Sequence, residues 1–266
     1  MQLQDIYIYP IKSLGGIRVS RAVLEERGLQ WDRRWMLVDK QGDFLTQRVH
    51  PSMALLQVEL TADGLLVFHK HEPTQRINIP FTPQSEATRP VTVWDDTVLG
   101  QELSKEVDAW FSEILGMPCG LVWMPPSTVR KIDAKYAINS ESVGFADAMP
   151  YLLIGQSALD NLNGKLDEPV PMDRFRPNLV FSGGVPFLDD AWDRVKIGEA
   201  LFKITKPCAR CVMTTVDQVT GKKGKEPLRT LSTFRTVGSK VFFGQNMLLL
   251  EGSEVSVGDR VEGIPK

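Results

Sequence analysis

Short runs of alternating apolar and polar residues, each too brief for a helix, fill roughly the first ninety positions and constrain the fold more than any other feature. They lie at 4–9, 17–24, 35–39, 44–47, 55–60, 65–69 and 91–94. A period of two puts alternate side chains on opposite faces of a pleated strand, and β-branched and aromatic residues suit that half-buried surface. Gly15-Gly16, Gln41-Gly42-Asp43 and Asp63-Gly64 punctuate the runs with the permissive backbone that tight connections need, Asp63-Gly64 being the clearest hairpin signal. Many short strands without long helices predict a barrel or sandwich.

The pattern breaks at 102–115, where Leu103, Val107, Trp110, Phe111, Ile114 and Leu115 share one helical face and Gly116-Met117-Pro118 stops the helix. After a polar stretch, a second set of strands is expected at 151–154, 178–181, 194–197, 201–205, 211–216, 240–243, 247–250 and 254–257. Short helices are expected at 158–166, capped by Ser157, and near 228–234. The chain of 266 residues is long enough for two cores, so the expected organisation is two mostly β (α+β) domains, 1–122 and 123–266, with a few short helices. Trp35, Trp94, Trp110 and Trp123 are read as core, Trp192 as a loop cap, and the Asp95-Asp96 pair as a turn. The basic turn at 221–225 is read as a solvated loop tip, with binding as its alternative.

With 31 basic against 33 acidic residues the net charge is −2, so bulk charge points to neither nucleic acid nor an anionic membrane. No run approaches the ~20 apolar residues of a spanning helix, and Met1-Gln2-Leu3-Gln4-Asp5 lacks a targeting pattern. A soluble cytoplasmic protein is expected. Only three cysteines, Cys119, Cys208 and Cys211, argue for retained thiols rather than a disulfide framework. Cys119 reads as core.

Lys206-Pro207-Cys208-Ala209-Arg210-Cys211 places two thiols and two cations in one short stretch. Structural zinc needs four ligands, and His50, His69 and His71 lie far upstream. A thioredoxin-like dithiol needs its thiols at a helix start, whereas 212–216 is β-branched and reads as strand. The remaining reading is a single thiolate with Arg210 and Lys206 beside it, suited to a soft metal or an electrophile. Cys208 reads as a small residue shaping the turn, with a redox role as its alternative.

Together with the stretch 206–217, several short motifs resemble the MOSC proteins, specifically those related to the mitochondrial amidoxime-reducing component and its bacterial counterparts. They are Tyr9-Pro10-Ile11-Lys12-Ser13, Asp32-Arg33-Arg34-Trp35, Val93-Trp94-Asp95-Asp96, Phe145-Ala146-Asp147, Arg174-Phe175-Arg176-Pro177-Asn178 and Phe243-Gly244-Gln245-Asn246. The resemblance implies a small N-terminal β-barrel-like domain followed by a MOSC-type β-barrel. It implies molybdenum cofactor (Mo-molybdopterin), with Cys211 as the metal ligand and Lys12, Ser13, Arg33, Arg176, Asn178, Ala209, Arg210 and Asn246 holding the pterin and its phosphate. Asp147 and Cys208 are weaker candidates. The implied activity is reduction of N-hydroxylated compounds, amidoximes and hydroxylaminopurines, by oxygen-atom removal. Some bacterial relatives carry a ferredoxin domain, but no cysteine follows Cys211 here, so no iron–sulfur cluster is expected in this chain and a separate ferredoxin-type or flavin reductase donor is. Two rivals stand: a carrier that delivers the cofactor or a sulfur atom without turnover, and a β-barrel interaction module with incidental thiols.

Overall fold

A computed structural model covers all 266 residues and is mostly β, with three short α-helices. The dominant element is a nine-stranded sheet. Its path runs Val261–Pro265, Trp192–Ile197, Ala200–Arg210, Lys240–Glu251, Tyr151–Gly155, Leu179–Ser182, Gln2–Ile8 and Ile17–Val19, and Thr236–Val237 pairs with the start of Lys240–Glu251. All pairings along it are antiparallel except Tyr151–Gly155 with Leu179–Ser182. That parallel pair needs a crossover, which the helix Gln156–Asn163 supplies. A four-stranded sheet (Trp35–Val38, Gly120–Trp123, Asp96–Glu102, Thr88–Val93) and a three-stranded meander (Leu56–Leu60, Gly64–His69, Glu72–Pro80) form the first half.

Two large cores, with three smaller buried clusters, hold these layers. Seventeen buried residues, among them Trp35, Leu37, Val58, Val67 and Leu121, pack beneath the helix Lys105–Leu115 through Val107 and Phe111. That helix begins where Ser104 Oγ accepts from Val107 N, and stops at Gly116, whose φ of +65° suits glycine. Nineteen more fill the large sheet, and Leu3, Ile6 and Ile8 of the opening strand are among them. The first eight residues therefore serve the second core. A cut at 122/123 leaves the opening strand hydrogen-bonded to Leu179–Ser182, so we propose the two-domain division as a description of two cores rather than of two separable bodies.

Several expectations need correcting. The run 17–24 splits at Ser20, Ile17–Val19 joining the large sheet and Arg21–Glu25 pairing with Glu254–Ser256. No strand forms at 44–47: only Phe44 bridges to Val38, because Thr46 opens a turn whose carbonyl accepts from Val49 N and His50 N. Ser157 does not cap its helix, since the preceding strand runs into it at Gly155, and the helix ends at Asn163. The strand expected at 211–216 is a 3₁₀ turn, Val212–Thr215, because the Thr214 and Thr215 hydroxyls donate back to the carbonyls of Cys211 and Val212. The runs 240–243 and 247–250 are one strand bent at Gly244, where φ is +84°. Trp192 is buried within a strand, and Trp94 is 42 % exposed rather than core.

Candidate functional site

Two loops build one wall of an open cavity of about 540 Å³. The opening strand stops at Ile8, and the chain from 9 to 14 is then stitched to the chain from 32 to 35: Arg33 N donates to Tyr9 O, Lys12 N to Trp35 O, and Tyr9 N to Asp32 Oδ1, each at 2.8 Å. This stitching forces Ser13 and Arg33 to φ of +66° and +48°. Arg176 and Trp94 also hold positive φ, +53° and +58°, so four of the seven non-glycine residues in that region line the cavity. Such conformations cost about 1–3 kcal/mol each and persist only where surrounding contacts over-determine them.

Every residue singled out from the sequence lines this one cavity: Lys12, Ser13, Arg33, Asp147, Arg176, Asn178, Cys208, Ala209, Arg210, Cys211 and Asn246. The strand Ala200–Arg210 carries Cys208, Ala209 and Arg210 to its rim, and Cys211 caps the 3₁₀ turn that follows. Asn178 is fixed between strands, accepting from Leu152 N and donating to Tyr7 O. Both Arg33 and Arg176 place their guanidinium carbons within 4.3 Å of the Tyr9 ring centroid.

Charge in the cavity is unevenly balanced. Arg33 is paired with buried Asp32 at 2.7 Å. Lys12 Nζ donates to Asp147 Oδ1 at 2.6 Å and to Phe145 O at 2.7 Å. Burial pushes the Lys12 ammonium down to about 8, against the pull of Asp147. Burial alone would raise the Asp147 carboxyl, but Lys12 and Arg48 hold it well below the usual carboxylate range. Arg176 and Arg210 have no carboxylate partner; Arg176 Nη1 donates to Leu14 O and Arg210 Nη2 to Phe175 O. Burial, then the neighbouring Arg33, lowers the Arg176 guanidinium to about 10. Ser13 Oγ and Arg176 Nη2 are buried without any hydrogen-bond partner.

Two contributors escaped the sequence reading. Arg48 Nε lies 3.2 Å from Cys211 Sγ while its Nη2 pairs with Asp147 and its guanidinium stacks on Trp94, 4.7 Å from the ring centroid. The Trp94 indole N–H donates to Asp147 Oδ1 at 3.3 Å. Lys206, expected beside the ligand thiol, instead sits over Tyr136 at 3.9 Å, and Arg210 Nη1 faces Cys208 Sγ at 3.0 Å. The cation at Cys211 is therefore Arg48. Its only local signal was the polar Thr46-Gln47-Arg48 interrupting an otherwise apolar run.

Residues 1–118 match the MOSC N-terminal beta barrel domain and residues 140–262 the MOSC domain. This chain belongs to the MOSC family. Among its relatives, mouse mitochondrial amidoxime-reducing component 1 is 32 % identical over 97 % of this MOSC chain and 80 % of its own length. The human protein of the same name is 30 % identical over 97 % and 81 %. Rice molybdenum cofactor sulfurase is 31 % identical over 97 % of this chain, which spans 33 % of that longer protein. No helix of the present MOSC protein is long and apolar enough to cross a membrane.

Proposed function

We propose that this chain is a molybdenum-cofactor-dependent oxidoreductase that removes the oxygen of N-hydroxylated compounds, amidoximes and hydroxylaminopurines being the substrate class. The observation that carries this reading is one cavity joining a free thiol, Cys211, to two cations without carboxylate partners, Arg176 and Arg210, and to the unpaired Ser13 hydroxyl. A phosphorylated pterin dithiolene calls for such a set: charge-assisted donors at one end and one soft ligand at the other. Nowhere do three His, Cys, Asp or Glu side chains converge on a metal position, so a metal at Cys211 would take its other ligands from the group that carries it.

Ser13, Arg33, Arg176, Asn178 and Arg210, with Lys12, Ala209 and Asn246 along the walls, would hold the phosphate and pterin, and Cys211 the metal. Bound there, the cofactor supplies the two-electron chemistry of oxygen-atom removal. For an amidoxime the N–O bond breaks, two electrons and two protons enter, and an amidine and water leave. Asp147, held ionised, fixes the Lys12 ammonium and Arg48 guanidinium by accepting from both rather than supplying a proton. Arg48 sets a positive charge against the ligand sulfur and, stacked on Trp94, lines the cavity.

A carrier reading is favoured by one observation: Cys208, a second thiol on the same cavity, half-buried and facing Arg210, in a chain that also resembles a molybdenum cofactor sulfurase. Such a protein would transfer cofactor to an apo-enzyme without turnover. The deciving comparison between these readings is molybdenum content and hydroxylaminopurine reduction, with a chemical reductant, for wild type and Cys211→Ala made in a host that synthesises the cofactor. Near-equimolar metal and turnover in the wild type, both lost in the variant, is the expected result. Metal without turnover would move the assignment to the carrier; no metal in either folded protein would remove the cofactor reading.

A further inference from the structure

The charge of this chain is sharply segregated. Between positions 206 and 240 eight Lys and Arg side chains face two carboxylates, a net of +6 that leaves −8 on the rest of a chain whose total is −2. The two carboxylates are already engaged. Asp217 pairs with Arg174 at 2.9 Å, and Glu226 with Arg229 at 2.6 Å. None of the five lysines, Lys206, Lys222, Lys223, Lys225 and Lys240, has a carboxylate partner. Arg235 is paired with Asp190 at 2.8 Å, as Arg229 is with Glu226, so the unpaired positive charge of the segment rests on these five lysines and Arg210.

The segment folds around the mouth of the cavity. Lys206 and Lys240 line it. The hairpin Thr236–Val237/Lys240–Glu251 lies beside the thiol-bearing strand, Val241 standing opposite both Thr236 and Arg210. The basic turn is tied to the 3₁₀ turn after Cys211, Gly224 N donating to Thr215 O at 3.0 Å. Lys223 Nζ donates to the carbonyl of Arg48, the residue against Cys211 Sγ, at 2.9 Å. Among these lysines three valines stand exposed: Val212 at 43 %, Val219 at 63 % and Val237 at 71 %. Apolar contacts framed by charge of one sign suit a folded protein of opposite sign better than a phosphate lattice, which offers nothing to the valines. An extended polyanion or membrane would also meet the −8 carried elsewhere.

We propose that this face docks an acidic electron-carrier protein at the cavity mouth. The proposal rests on the reductase reading above and adds the place and chemistry of its donor. The carrier, reduced beforehand, is oxidised by two electrons per turnover, in two visits if it carries one. Those electrons, with two protons from water, break the substrate N–O bond and release water.

The test uses the full-length, cofactor-loaded protein and the double variant Lys222→Glu/Lys225→Glu, whose side chains touch neither the cavity nor the thiols. An acidic plant-type [2Fe–2S] ferredoxin serves as carrier and reduced methyl viologen as small reductant. At low ionic strength the variant is expected to raise the KM for ferredoxin about tenfold, with kcat and the viologen-driven rate within about twofold of wild type. The wild-type KM should climb with salt and the variant's stay flat. Equal ferredoxin KM and equal salt dependence in the two proteins would overturn the docking face, as would tight binding of wild type to anionic vesicles or DNA but not to ferredoxin. If viologen drives no turnover in wild type, the reductase reading fails, and salt-dependent binding of ferredoxin to wild type and variant still decides the docking face.

Discussion

Replacing Arg176 by methionine separates a residue kept to bind an anion from one kept to hold the fold. Its guanidinium, buried and crowded by Arg33, falls well below its ordinary value, to about 10. At 1.36 kcal/mol per pH unit that gap is worth about 3 kcal/mol against the charged form. The unfolded chain binds this proton more tightly, so the cost is present in full below pH 10 and is relieved as pH rises above 10 towards the higher unfolded value. Methionine removes that cost and keeps part of the stem packing. It forfeits the hydrogen bond to Leu14 O and the contact with Tyr9, together about 2 kcal/mol. In chloride buffer at pH 7.5, Arg176→Met is therefore expected to lie within about 1 kcal/mol of wild type, an unusually mild outcome for a buried position. Phosphate should reveal the difference. At ten times its Kd, phosphate stabilises the cofactor-free wild type by about 1.4 kcal/mol, raising Tm by about 3 °C in a chain of this size. The variant should lose most of that rise. Scanning calorimetry of both proteins, with and without phosphate at matched ionic strength, measures the two effects together. Arg176→Met that loses more than about 3 kcal/mol in chloride while keeping its response to phosphate would refute the reasoning and make Arg176 a structural ion.

Three further outcomes concern Asp147 and two glycines. Asp147→Asn leaves Lys12 and Arg48 without their carboxylate; because Asp147 is 45 % exposed, the expected loss at pH 7 is only about 1 kcal/mol by urea unfolding. Its depressed carboxyl contributes stability above the unfolded carboxylate value and loses it as pH falls towards the still lower folded value, so the gap between wild type and variant should narrow below about pH 4; a gap that widens on acidification would contradict this. Gly244→Ala should cost about 2–4 kcal/mol, since φ is +84° and a Cβ there meets Leu153 O at 2.8 Å and Ile154 Cγ1 at 2.7 Å. Gly116→Ala, at φ +65° with nothing within 4 Å, should cost about 1 kcal/mol, and equal losses at the two positions would show that the close approach beneath Gly244 is not what constrains it.

Much of the site was legible because its residues sit in short, self-determined turns. Tyr9-Pro10 must end a strand, and the Cys-x-x-Cys stretch announces itself chemically. The strand pattern was legible where one face is buried, as in Leu56–Leu60 and Gly64–His69. Glu72–Pro80 was not, because five of its nine residues in succession are exposed and only Ile77 and Ile79 face the core. Nor was the place of the opening strand: alternation identifies a strand but not its partner, and Gln2–Ile8 pairs with residues about 175 positions away. Arg48 was missed and Trp94 misread as core for the same reason. Each acquires its role from Asp147 and Cys211, which are distant in sequence and adjacent only in the fold.

The cavity concentrates what an unliganded protein would do better without. Four residues hold left-handed backbone, two buried polar atoms lack partners, and Arg176 lies beside Arg33 with no carboxylate of its own. None of these features stabilises the chain, and the two cores that surround them are what maintain them. Lys12, Arg33, Arg48 and Trp94 precede the helix that closes the first half, whereas Arg176, Arg210 and Cys211 belong to the second, so neither half carries the set alone. The shared sheet is the physical reason the set stays aligned: Gln2–Ile8, which leads directly into Lys12 and Ser13, is hydrogen-bonded to Leu179–Ser182, which follows directly on Arg176 and Asn178. An anion reaching across both would relieve the repulsion and satisfy Ser13 Oγ and Arg176 Nη2 in one step. Strain and unpaired charge gathered at a seam, with rigid cores on either side, are features expected of a preorganised binding site.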